Sequence, residues 1–405
     1  MDSTDEVTPA TDATPRAATL RTGIALTSLA WLISRAVITA TWEPARNPFQ
    51  FPIYQWSRWD SLNYLAIAAK GRTFGLCTSP QFAGSPNPLG VKWCGTAGWL
   101  PGYPFVLRVL ESVGIDTAHG GLLIAWLAIA GALFLVWFGW GRDLTFWRSL
   151  MVLVTFGLFP GAVYNFAIFP TSLALLAIVA ALLMATRERF LLAAVFMTLA
   201  GLCYPSAWFA AGGLAVGMVL VAYEQGSSFA IRRGLWGLAG LSSIVFLLIH
   251  DYLAFGGRAT AFFLIDSQPP LVATGFPGQD FLRLLFTRSA AEQRPLGSFG
   301  GVVLAVQGAL AVLLTVGATA RTALGWRRGD RRPADVYPAL VGLAVMLSIL
   351  FHGAAGGAWN RSIVLAAPCV VCLRTMRIKW LIGLVIVIGV TTALMSRYFF
   401  AGSLI

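Results

Sequence analysis

Charge is scarce in this sequence. Only 11% of its 405 residues are Asp, Glu, Lys or Arg, while 57% are hydrophobic; a soluble globular chain carries about 25% charged residues. The shortage excludes a water-soluble domain, because a soluble surface must face water however large its core. Acidic residues are the scarcer sign, 17 against 29 Lys and Arg, for a net charge of +12. In a soluble protein that excess would suggest nucleic acid. Here the arginines cluster in short turns between apolar stretches, the positive-inside pattern of a membrane protein, and no nucleic-acid partner is expected. Histidine is nearly absent. His119, His250 and His352 are the only three, and no motif gathers them, so a His-rich metal site is excluded and no divalent metal is indicated. There is no Asp-x-Asp pattern, which disfavours nucleotide-sugar chemistry. No internal repeat is visible either, which weighs against a transporter built from two related halves.

What is present is a succession of apolar runs near the ~20 residues that cross a bilayer. Eleven spans are predicted: 22–41, 120–140, 149–168, 171–186, 190–205, 206–223, 235–254, 299–320, 336–352, 362–376 and 379–397. The expected class is an all-α polytopic integral membrane protein with a single transmembrane domain over 19–405. Residues 1–18, rich in Asp, Thr, Ala and Pro, read as a disordered cytoplasmic tail. The first apolar run ends in Trp42 rather than a small-residue cleavage site, so it reads as a retained span. Five short turns carry Arg142 and Arg148, Arg187 and Arg189, Arg232 and Arg233, Arg321 to Arg332, and Arg374 to Lys379. They are expected on the cytoplasmic side of the cell membrane. Two long loops, 42–119 and 255–298, then fall on the extracytoplasmic side. Trp42, Trp126, Trp208 and Trp359 near span ends read mostly as interfacial anchors in contact with membrane lipid.

The cysteines divide by location. Cys77 and Cys94 lie in the first long loop and can pair if that side is oxidising. Closing that Gly-, Pro- and Ser-rich loop would stabilise it by ~3 kcal/mol. Cys203, Cys369 and Cys372 fall in or beside spans and read as small apolar filler.

The chemistry-bearing stretch is Arg58-Trp59-Asp60 followed by SLNYLAIAAKG, ending at Gly71. Leu62, Leu65, Ala66 and Ala69 recur at helical spacing, so a short amphipathic helix at the membrane surface is expected, with Gly71 as its stop. Asp60 stands at or just before its start. It is either an N-cap or a general base at the water–lipid boundary. A capping carboxylate is held as the anion, so the two roles pull against each other. Downstream, Pro101-Gly102-Tyr103-Pro104 is a rigid break before a helix. It either closes the loop or presents Tyr103 to a substrate. Arg35 lies at depth in the first span, where a charge usually faces protein; it supports the site, pairs with Glu43, or snorkels outward. Asp266 and the His250-Asp251 pair are further acidic candidates, the latter for proton handling.

The string RWDSLNYLAIAAKG and the Pro-Gly-Tyr-Pro segment resemble the PIG-V type of mannosyltransferase. FPGAVYNFAIFPTSLALL resembles that family's third outer turn. Tyr252 to Gln268 resembles its Gly-containing segment ending in Gln, and Asn360-Arg361 with Pro368 its late Arg…Pro element. The resemblance runs in order over most of the chain. It implies the GT-C fold of integral-membrane glycosyltransferases, with interfacial helices in the first outer loop. It also implies an inverting transfer of mannose from a polyprenyl-phosphate donor to an acceptor hydroxyl on a glycan, glycolipid or protein. No further cofactor is implied. Asp60 would be the base. Arg361 first, then Arg58 and Arg258, would meet the leaving phosphate, since Arg offers a planar fork of donors. Their bland alternative is interfacial snorkelling. Trp59, Tyr64, Tyr103 and Gln268 complete the expected substrate-binding set.

Two positions depart from the family pattern. Thr171 stands where an acidic residue is usual, and Tyr204 stands where an Arg precedes a Pro. The departures bear on activity more than on fold. They keep open a non-catalytic membrane subunit of the same fold, beside the rival reading of a lipid or solute transporter.

Overall fold

The computed structural model describes residues 16–41, 53–58, 60–82, 92–261, 297–351 and 358–401. Trp42, Glu43, Trp59, Asp266, Gln268 and His352, with the side chains of Trp359 and Asn360, lie outside the described residues, as do most of the 255–298 loop and residues 1–15 of the expected tail. The first helix, α1, runs Arg16–Thr39, beginning inside the stretch read as tail.

Seven helical stretches are long and apolar enough to cross a membrane: Leu20–Thr39, Thr117–Gly141, Ser206–Glu224, Ala230–Phe255, Phe299–Arg327, Pro333–Leu350 and Ile378–Phe400. The other four expected spans overlap shorter apolar helices, Phe146–Gly157, Thr171–Thr186, Phe190–Cys203 and Arg361–Leu373, and the expected 149–168 is broken after Gly157 by a turn before the four-residue helix Val163–Phe166. Proline sets several of these limits. Pro160 lies in the turn after Gly157, Pro170 immediately precedes Thr171, and Pro205 follows Tyr204 at the end of Phe190–Cys203.

After α1 the chain forms α2 (Asp60–Lys70), a two-stranded hairpin and α3 (Gly102–Ser112). In the hairpin, β1 (Phe74–Leu76) pairs antiparallel with β2 (Trp93–Gly95), Gly75 opposite Cys94. Cys77 and Cys94 are joined in a disulfide at its mouth. The bundle follows as α4 (Thr117–Val136), α5 (Phe146–Gly157), the short α6 (Val163–Phe166), α7 (Thr171–Thr186), α8 (Phe190–Cys203) and α9 (Ser206–Glu224). Next come α10 (Ala230–Ala239), α11 (Ser242–Phe255), α12 (Gly297–Arg327), α13 (Pro333–Phe351) and α14 (Ala358–Ile363). A buried 3-10 segment (Val364–Leu373) and α15 (Ile378–Phe400) complete it.

Helix α7 is apolar around its whole circumference, and it is buried on nearly every side, as such a helix must be. Helices α9 and α13 meet through Gly213 and Gly217, spaced like a GxxxG seam. A Cβ built on Gly213 would lie 2.5 Å from the Leu340 carbonyl oxygen, so only glycine permits this approach.

The five basic turns lie together at one end. Arg187 packs on the Phe138 ring at 4.6 Å, Arg233 reaches Glu188 at 4.0 Å, and Arg331 pairs with Glu224. Arg374 then pairs with Asp335, Nη2 donating to Oδ2 at 3.0 Å. These contacts link each turn to the next. The α2–α3 region closes the opposite end, where the Thr41 hydroxyl donates to the Ala393 carbonyl at 2.7 Å and Arg58 Nη2 donates to the Phe400 carbonyl.

Candidate active site

Asp60 is the first residue of α2. The helix start is fixed locally: Ser61 N–H donates to the Arg58 carbonyl at 2.9 Å, and Arg58 N–H donates to the Ser61 hydroxyl at 3.1 Å. The Asp60 carboxylate thereby faces α14, where Arg361 Nη1 donates to its Oδ2. The side chains are 28% and 13% exposed, a half-sheltered ion pair between residues 301 positions apart.

Three tyrosines surround this pair. Tyr64, one turn along α2, is buried and meets Tyr103 edge-to-face at 5.6 Å. Burial first, and then the Asp60 carboxylate, push the Tyr64 phenol well above its ordinary pKa, so it stays a neutral donor. Tyr204 caps α8 in extended conformation, as a residue before proline prefers, and its hydroxyl shares a 3.2 Å hydrogen bond with the Ser362 hydroxyl. Tyr164 is buried on α6. Each of the three senses the charges of both Asp60 and Arg361. Phe169 offers its ring to Arg361, 6.0 Å from the guanidinium carbon.

The remaining predicted residues are placed differently. Tyr103 is fully buried and its hydroxyl donates to the Gly121 carbonyl at 3.2 Å, so it backs Tyr64 rather than presenting itself to a substrate. Arg58 ties the first loop to the end of α15. Arg258 is exposed in the turn after α11. That turn joins the far end of α2 through Thr260 and Arg72, so the length of that helix, about 16 Å at 1.5 Å per residue, separates it from Asp60. His250-Asp251 is not an open proton-handling pair. Asp251 is fully buried, accepts from Arg72 Nη1 at 2.8 Å and from Thr260 N–H at 2.6 Å, and clasps α11 to the first loop. Arg72 also donates to His250 Nδ1 at 3.0 Å and to the Ala97 carbonyl at 2.5 Å. Arg35 is stacked among Trp31, Trp56 and Trp126, 3.9 Å from the last ring centroid. Its partners are thus aromatic faces at the base of the first loop. Among the described residues no three of His, Cys, Asp and Glu stand together as metal ligands would.

The sequence did not single out Tyr164, Ser362 or Arg72. Tyr164 lies inside the FPGAVYNFAIFPTS segment, and its signal was a hydroxyl beside the Asn165 amide in a mostly apolar turn. Beside the site a cleft of about 880 Å³ runs between α3, α4, α7, α8 and α11. Its walls extend along α7 from Leu173 to Met184, and its site-side lip includes Ile67, Gly102 and Cys203, the neighbour of Tyr204. Phe105, Leu199 and Phe246 are exposed in its rim, so it opens on the outside of the bundle.

The arrangement matches solved structures of the oligosaccharyltransferase of Archaeoglobus fulgidus. The enzyme tethered to an acceptor peptide aligns with a TM-score of 0.50 at 10% identity, over 94% of this chain and 55% of that one. The two share an overall fold. The apo form aligns with a TM-score of 0.49 at 10% identity, over 94% and 56% of the two chains. The AglB complex with an inhibitory peptide and dolichol-phosphate aligns at 0.48 and 10% identity over the same shares. The chain thus spans a little over half the length of these proteins. No family model matches it, and no curated protein matches it.

Proposed function

We propose that this chain is an inverting GT-C glycosyltransferase that moves a sugar from a polyprenyl-phosphate donor to an acceptor hydroxyl. The site sits on the extracytoplasmic side, opposite the clustered basic turns. The observation that carries the reading is the Asp60–Arg361 pair, brought together from opposite ends of the chain at one end of a GT-C-like bundle. Asp60 takes the proton of the acceptor hydroxyl as its oxygen attacks the anomeric carbon. The bond from that carbon to the phosphate oxygen breaks, and the lipid phosphate leaves as an anion beside Arg361. General-base help of this kind contributes ~10²–10⁴-fold, and fixed positive charge stabilises the leaving group. The apolar cleft supports a lipid-borne donor, since its wall along α7 is roughly 16 Å long and stands next to Tyr204. The resemblance of the first-loop motif makes mannose the proposed sugar. The acceptor is proposed only as a hydroxyl of a glycan, glycolipid or protein.

The test is transfer of labelled mannose from polyprenyl-phosphate mannose in membranes holding equal amounts of parent and Asp60→Ala. The variant should lose ~10²-fold or more of the activity. Equal transfer by both would end the assignment.

A further inference from the structure

We infer that Tyr164 positions the donor's phosphate, and that the phosphate enters by drawing Arg361 away from Asp60; this rests on the lipid-phosphate reading above. Tyr164 is 2% exposed, and its hydroxyl has no hydrogen-bond partner among the described residues. The same holds for Nε of Arg361. Buried polar groups are nearly always paired, so two unpaired donors require an explanation. They share a neighbour: the Phe169 ring lies 5.1 Å from the Tyr164 ring and 6.0 Å from the Arg361 guanidinium. The phenol is also held still. The Thr171 hydroxyl donates to the Tyr164 carbonyl at 3.0 Å, and Phe399 packs edge-on against its ring at 5.5 Å.

A phenol O–H and a guanidinium N–H are both donors, and an anion with several oxygens can accept from the two at once. An apolar chain satisfies neither. Among the described residues Asp60 is the anion at Arg361, and it already engages Nη1. A phosphate and the carboxylate therefore compete for one guanidinium, and each weakens the hold of the other by the same factor. Asp60 stays bound to Arg361 until a donor is seated, and is then turned over to the acceptor hydroxyl. The base is exposed only when there is something to transfer.

The experiment is equilibrium binding of farnesyl phosphate to the full-length protein in detergent, followed by tryptophan fluorescence, with farnesol and inorganic phosphate as separate arms. The parent should bind farnesyl phosphate more tightly than either. Tyr164→Phe should weaken that binding about tenfold, the size of one hydrogen bond to a charged group, and leave farnesol unchanged. Asp60→Asn should tighten it severalfold, with Asp60→Ser as the second variant should the amide not accumulate. If Tyr164→Phe bound like the parent, or loss of the Asp60 charge weakened binding, the inference would fall while Asp60-dependent transfer could still stand. If the parent preferred farnesol, the lipid-phosphate reading itself would fall with it.

Discussion

The clasp between Arg72 and Asp251 gives the sharpest stability prediction. Arg72 is 3% exposed and Asp251 fully buried, and the guanidinium also serves Ala97, Thr260 and His250. Burial pulls the Arg72 pKa down, and the Asp251 carboxylate works against that. Replacing Arg72 with Met keeps the packing of the stem but leaves a buried carboxylate with the Thr260 N–H as its remaining strong donor. Removing one partner of such a pair costs about 3–5 kcal/mol, because an uncompensated charge stays behind. Asp251→Leu should cost a similar amount by stranding the guanidinium. The double variant Arg72→Met/Asp251→Leu should cost far less than the sum, since neither charge then remains buried. Equilibrium unfolding of the full chain in mixed detergent micelles measures all three. Singles below about 1 kcal/mol, or a double equal to their sum, would refute the claim that this pair is one energetic unit. A local readout accompanies the global one: proteolysis between residues 72 and 97 should quicken in each single variant, because Arg72 anchors that hairpin to α11.

Two further outcomes follow from the same geometry. Reduction of Cys77–Cys94, or Cys77→Ser/Cys94→Ser, should loosen the hairpin by ~3 kcal/mol of loop-closure entropy, read as a lower unfolding midpoint with the bundle's helix content kept. Ala180→Trp should fill the cleft at mid-depth on α7, raising KM for a long-chain polyprenyl-phosphate mannose at least fivefold while the short farnesyl-phosphate mannose is turned over as by the parent; a long-chain KM equal to the parent's would remove the cleft from the donor site.

The bundle was largely legible because membrane spans announce themselves by composition. α1, α4, α9, α12, α13 and α15 each overlap a predicted apolar run. The short helices were harder, since an apolar run does not reveal where a proline will cut it, as at Pro160, where the expected span 149–168 gives way to α5 ending at Gly157 and the short α6. Asp60 and Arg361 were both visible as polar residues at the margin of apolar segments, and the family resemblance implied that they converge on one site; nothing local encodes a contact across 301 positions, so the residues alone did not give it. Tyr103 misled for the opposite reason. A Pro-Gly-Tyr-Pro break looks like a presenting loop, yet Gly102 packs its backbone on that of Leu202 and draws Tyr103 inward with it. Arg72 was overlooked because it follows the helix-stop Gly71 in a loop, where a charge ordinarily means solvent.

The two departures from the PIG-V pattern acquire a physical sense from this placement. An acidic residue at 171 and an Arg at 204 would add one charge of each sign near a site that already holds one of each. In this chain both positions carry neutral hydroxyls. Thr171 steadies the backbone of Tyr164, and Tyr204 is tied to Ser362, next to Arg361 in sequence. Among the described residues, Arg361 then has Asp60 as its ion-pair partner and no second carboxylate to share it with. A Tyr204→Arg change would supply another cation for the phosphate without releasing Asp60, and so would separate donor binding from exposure of the base.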